Sequence, residues 1–179
     1  MSPAGKKPKP KKAKASIAGL RKLDALAESL LRARLPGEDL LARFGDQARK
    51  LLGLDALCLW YRLEESEYRL LVAAPKTKKW VAHSTPEQAG LAGLVAKPSA
   101  LLPNRPVSEL EGAKEFLAGI GLPSGFASAF ALDDDGSVLL VCMALAKKAG
   151  PAGAELRALK GAAKELRLLV RNDRLERIS

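Results

Sequence analysis

Residues 85–104 read TPEQAGLAGLVAKPSALLPN, and the way this stretch folds decides the architecture around it. Thr85 can cap a helix, Pro86 suits the first helical position because its missing N–H has no partner to lose there, and Gln88 completes a Thr-x-x-Gln capping box. The pattern predicts a helix opening at Thr85 that runs into a short apolar strand over 100–103. Gly90 and Gly93 stand three apart and share one face of that expected helix. Each costs up to ~1 kcal/mol of helix propensity, a cost that close approach of the backbone to another group would offset. Two readings of that face stand: tight packing on a sheet, or a ligand lying against it.

Upstream, Ile17, Leu20, Leu23, Ala27, Leu30 and Leu31 recur at steps of three and four, with Arg21, Lys22, Glu28 and Arg32 mostly off the stripe. This predicts an amphipathic helix. Pro36 and Gly37 end it, and Leu40, Leu41, Phe44, Ala48, Leu51 and Leu52 mark a second helix that Gly53 caps. Residues 54–63 (LDALCLWYRL) and 68–74 (YRLLVAA) then read as a two-strand hairpin across an acidic turn. The first of these strands barely alternates, the pattern of a strand covered on both faces.

Downstream, a short helix is expected over 108–118 and two strands over 125–132 and 137–146. Between the strands lie Asp133, Asp134, Asp135 and Gly136, and Asp-Gly supplies the positive φ angles of a tight hairpin turn. The aspartates lack the spaced oxygen ligands and terminal glutamate of a calcium loop, so no metal site is expected. Leu156, Leu159, Ala163, Leu166 and Val170 mark a long last helix over 154–177.

The chain has 179 residues, enough for one ordinary domain, and a net charge of +10. Six of its lysines (Lys6, Lys7, Lys9, Lys11, Lys12 and Lys14) fall within residues 1–16, which hold no acid. Removing them from the 30 basic residues leaves 24 against 20 acidic ones, so the remainder carries only +4. Residues 1–16 have almost nothing apolar to bury and are expected to be a disordered basic tail. Such a tail can neutralise phosphates without sequence preference, giving weak nucleic-acid or anionic-surface binding, or serve as a solubilising leader. No run of apolar residues suits a secretory signal or a membrane span, so a cytoplasmic protein with no membrane insertion is expected. Cys58 and Cys142 lie in apolar strands, where a thiol behaves as a small hydrophobe.

The element order resembles that of GAF domains over residues 17–179. LLGLDALCLWYR resembles the first strand and the helix end before it, GLAGLVAKPSALLPN the Gly-x-x-Gly helix and third strand, and GFASAFAL with GSVLLVCMAL the last hairpin. The resemblance implies an α/β (α+β) fold: an antiparallel sheet of about five strands flanked by helices on both faces, with long N- and C-terminal helices. Ala131, Leu140 and Asn104 stand where the family often has proline, glycine and aspartate. The signature of cyclic-nucleotide members is missing, and no loop cysteine offers a bilin attachment point or the thiols of the methionine-sulfoxide reductases of this fold.

What the resemblance implies is a divergent, stand-alone regulatory or scaffold module acting on a partner protein in trans. It implies a homodimer through the terminal helices, with Leu20, Leu23, Leu30, Leu166, Val170 and Leu175 as contact positions. The alternative is a small-molecule sensor with a pocket beside Gly90, Gly93 and Leu94. Trp80, Phe116 and Phe126 would wall that pocket, and His83 and Ser128 would orient the ligand. The single histidine has no paired carboxylate or nucleophile near it in sequence, so neither catalysis nor a cofactor is expected.

Overall fold

The computed structural model describes residues 9–64, 67–134, 136–151, 153–167 and 169. Its sheet has six strands: β1 (Ala56–Glu64), β2 (Glu67–Ala74), β3 (Thr77–Ala82), β4 (Leu101–Pro106), β5 (Phe126–Asp134) and β6 (Ser137–Ala146). They run antiparallel in the order β3-β2-β1-β6-β5-β4. The central strands β1 and β6 are buried almost end to end, which is why their sequences form unbroken apolar runs. The sixth strand, beyond the five expected, is β3. Its sequence TKKWVA is exposed or half-buried throughout, so no apolar periodicity announces it; pairing with β2, Leu71 opposite Trp80, defines it instead.

Three helices cover one face of this sheet. α2 (Gly37–Leu52) and α5 (Gly153–Glu165) lie against the strands, and α1 (Lys9–Ala33) packs across both helices. Leu23, Leu26, Ala27 and Leu30 of α1 are buried in the core that α2, α5 and the sheet form. Leu31, one residue round the helix from Leu30, is 40% exposed and falls off the buried stripe. Gly53 adopts φ 63° and caps α2 as expected, its N–H directed to the carbonyls of Arg49 and Lys50. α1 begins at Lys9, upstream of the periodic stripe, so Lys9, Lys11, Lys12 and Lys14 lie on its first turns, while Lys6 and Lys7 fall outside the described residues. Lysine and alanine are good helix formers, and Pro10 sits in the first turn, where an N–H has no intrahelical partner.

The other face is covered by a 3₁₀ turn (Pro86–Ala89), α3 (Ala92–Ala96), a second 3₁₀ turn (Val107–Glu109) and α4 (Ala113–Gly119). Here the expectation of one helix bearing both Gly90 and Gly93 is corrected. The Thr85 N–H does donate to Gln88 Oε1 at 3.0 Å, but the turn ends within one revolution at Gly90, whose φ is 75°. α3 then starts afresh at Ala92. A Cβ on Gly90 would stand 2.8 Å from Leu110 Cβ, so the close approach that this glycine permits is to Leu110. Gly93 is exposed, and a Cβ there would meet nothing within 4 Å. Gly90→Ala is therefore expected to destabilise by about 2 kcal/mol, through positive φ and overpacking. Gly93→Ala is expected to stabilise by about 0.5 kcal/mol through helix propensity. Urea unfolding of the two variants checks the pair, and equal effects would contradict it.

Candidate functional site

The β5 segment FASAFAL alternates so that Ala127, Ala129 and Ala131 face the α3–α4 cover while Phe130 faces the helical layer. Three alanines in a row leave depth above the sheet, and the neighbouring strands fill it. Trp60 of β1 is fully buried between sheet and cover. Its indole N–H donates to the Ser84 hydroxyl at 3.0 Å, satisfying the one polar atom the ring carries. The Phe116 ring of α4 lies 6.1 Å from it, centroid to centroid, tilted by 34°. Leu91 and Leu94 close the cover, and Tyr68 joins the cluster at its rim. Burial, followed by the nearby Glu87 charge, pushes the Tyr68 hydroxyl above its ordinary pKa.

The residues expected to line a pocket are divided between the two faces of the sheet and its edge. Leu94 and Phe116 belong to this cover-side cluster, and Gly90 packs beneath Leu110. Trp80 lies on the opposite face of the sheet, against the helical core, with the Arg69 guanidinium 4.9 Å above its ring. Arg69 also pairs with Glu38 of α2, so it ties the β3 edge to the helical layer. His83 is 81% exposed at the end of β3, with Nδ1 3.9 Å from Glu67 Oε1 and φ at 56°. Phe126 and Ser128 share the strand parity of Phe130 and so point to the helical side.

Ser128 has a structural partner there. Its Oγ accepts the Asn104 N–H at 2.8 Å, and Asn104 Oδ1 accepts the Gly150 N–H at 2.7 Å. Asn104 sits at the β4 irregularity between Leu102 and Arg105 with φ 37°, a left-handed conformation that asparagine tolerates better than most residues. Asn104→Ala should therefore lower stability by about 1 kcal/mol, as both the backbone preference and an exposed side-chain acceptor for the Gly150 N–H are lost. Asn104→Gly keeps the conformation and should lose less. A larger loss in the glycine variant, by thermal or chemical unfolding, would contradict this account.

Of the four terminal-helix dimer positions among the described residues, three are used within the chain. Leu23, Leu30 and Leu166 are buried in the helical core, Leu20 is half-buried, and Val170 and Leu175 lie outside the described residues. The two thiols are buried on opposite faces of the sheet, Cys58 toward the cover and Cys142 toward the helices. Burial pushes Cys58 up to about 12 and raises Cys142 well above its ordinary value, so both are held as neutral thiols. Among the described residues no cluster of His, Cys, Asp and Glu could hold a metal ion. No described helix is long and apolar enough to cross a membrane.

Two spaces remain. An apolar gap of ≈ 10 Å³ between α2, α5 and the sheet, lined in part by Phe44, Leu132 and Leu140, is too small for a metabolite. On the surface, an open groove of ≈ 430 Å³ lies between α2 and the β2–β3 turn, lined by Asp46, Lys50, Lys76, Thr77 and Lys78. Asp46 is 3.2 Å from Lys50 Nζ and 3.4 Å from Lys78 Nζ. Partial burial works to raise its pKa, but the two ammonium groups outweigh that and hold it below the ordinary value.

The class this architecture defines is the GAF-like fold. No family model and no curated protein matches the sequence, but solved structures do. The GAF domain from Acinetobacter phosphoenolpyruvate-protein phosphotransferase matches with a TM-score of 0.61 at 17% identity, over 87% of this chain and 92% of that one. The phycocyanobilin-bound GAF domain from a cyanobacterial phytochrome matches with a TM-score of 0.62 at 13% identity, over 90% of this chain and 96% of that one. fRMsr of Staphylococcus aureus, solved in complex with substrate, matches with a TM-score of 0.56 at 12% identity, over 84% and 95%. That last protein is a methionine sulfoxide reductase. It overturns the expectation that this chain is not an enzyme, because the same fold carries catalysis there and sequence spacing gives no ground to exclude it.

Proposed function

We propose that this chain is a GAF-like regulatory module that acts through its surface on a partner protein in trans, with the space between sheet and cover given over to its own side chains. The observation that supports this reading is Trp60, which fills that space and has its N–H satisfied by Ser84. A bound metabolite would have to displace a fully buried indole and leave the Ser84 hydroxyl unpaired. The terminal helices of a homodimer would meet through surfaces other than the buried stripe. Among the described side chains of α1, Leu31 is an exposed large apolar one, and sedimentation equilibrium of the full chain measures whether such a dimer forms.

The test is a thermal-shift screen against nucleotides, amino acids and aromatic metabolites. It is paired with the emission of Trp60, isolated in a Trp80→Phe variant. The expected result is no saturable change in either signal. A concentration-dependent rise in Tm with a shift in Trp60 emission would overturn the reading in favour of a small-molecule sensor.

A further inference from the structure

The two outer edges of the sheet differ in kind. β4 carries Pro103 and Pro106, which have no N–H to donate, and its register breaks between Leu102 and Arg105. α5 packs beside it as well. β3 has none of these devices. TKKWVA contains no proline, its pairing with β2 continues without a break from Thr77 to Ala82, and among the described residues no strand pairs with its other side. Alternate backbone N–H and C=O groups of β3 therefore face outward.

The charge along this edge has one sign. Lys78, opposite Ala73, stands on the helical side, where Lys50 and Lys76 line the same groove; Lys79, opposite Val72, stands on the other side. The groove's carboxylate is Asp46, which pairs with Lys50 and Lys78. Edge lysines discourage self-pairing, because two antiparallel copies of β3 would bring like charges together. The same lysines attract an acidic strand. Residues 1–8 hold lysines and no acid, and residues 170–179 hold three arginines against two acids, so neither stretch supplies one. Nor does the edge suit the bases of a nucleic acid, since Trp80, its one aromatic residue, is half-buried beneath Arg69.

We propose that the outer edge of β3, with Lys50, Lys76, Lys78 and Lys79, docks an extended acidic segment of a partner protein as an added strand. The proposal rests on the reading that the chain acts on a partner in trans. Main-chain hydrogen bonds to β3 supply the register, and the lysines supply charge complementarity on both faces of the added strand.

Fluorescence anisotropy of the full chain with a short labelled peptide alternating glutamate and threonine tests this. The expected results are saturable binding and a loss of about tenfold or more in affinity for the double variant Lys78→Glu/Lys79→Glu, which stays folded with a slightly lowered Tm because Lys78 gives up its pair with Asp46. N-methylation of alternate peptide amides should weaken binding by a similar factor, because it removes backbone donors and leaves charge alone. A double variant Lys147→Glu/Lys148→Glu, distant in sequence from β3, should bind as the parent does. Absence of binding, indifference to N-methylation, or equal binding of an oligothymidylate of the same charge overturns the proposal. None of these outcomes alters the metabolite screen, so the docking site and the broader regulatory reading fail separately.

Discussion

Trp60→Ala is expected to lower the unfolding free energy by about 3–5 kcal/mol, the range for removing a large aromatic side chain from a packed interior. The indole is fully buried, and the small residues around it on β5, Ala127, Ala129 and Ala131, cannot extend to fill the void. Phe116 loses its ring partner and the Ser84 hydroxyl loses its donor. Trp60→Phe separates these contributions, because it restores most of the volume and none of the hydrogen bond; its loss should be smaller. The alanine variant also opens a space of roughly indole shape, so millimolar indole should raise its Tm while leaving the parent unchanged. A loss below about 1 kcal/mol for Trp60→Ala would mean that the cover is held by other contacts, since such small losses are those of surface sites.

Why the sequence pointed to Trp80 and not to Trp60 follows from what local patterns encode. A capping box, a glycine C-cap and an Asp-Gly hairpin are made by residues near each other in the chain, and Gln88, Gly53 and Gly136 behave as their neighbours dictate. The face on which a strand residue lies depends on strand parity, and parity becomes a location only when the partner strand and its register are known. In a run as uniformly apolar as ALCLWYRL, Trp60 and Tyr61 look alike; the register places them in different cores. In FASAFAL, alternation puts Ser128 and Phe130 on one side, yet nothing local says that this side is the helical one. The amphipathic stripe on α1 showed that Leu23 and Leu30 would be buried, and left open whether a second subunit or the chain's own sheet would cover them; α2 and α5 do so together with the sheet. β3 was illegible for a different reason: its lysines belong to an edge exposed to solvent, so burial leaves no imprint on its composition.

Alkaline pH should destabilise the protein steeply, and Cys58 is one of two buried thiols that contribute. Its thiol titrates near 9.0 when exposed and is pushed up to about 12 in the folded chain because burial penalises the thiolate. Below pH 9 the thiol is protonated in both folded and unfolded chains, so its contribution to stability is fully present there. Between 9 and about 12 the unfolded chain releases the proton and the folded chain retains it, and stability falls by about 1.4 kcal/mol per pH unit for this group. Across the whole window the loss is on the order of 4 kcal/mol, comparable to much of the stability of a typical domain. Cys142 is shifted in the same direction, first by burial and then by the Cys58 charge, and steepens the decline further. Lysines and tyrosines also titrate in this range, so the measurement compares the parent with Cys58→Ala by urea unfolding at pH 8 and pH 10.5. The variant should start less stable by about 1 kcal/mol for the small void. By the upper pH it should overtake the parent, because the parent has lost about 2 kcal/mol through this thiol. Parallel stability curves for the two proteins would show that the Cys58 thiolate is tolerated inside the sheet, and the strand packing around β1 would then have to admit water.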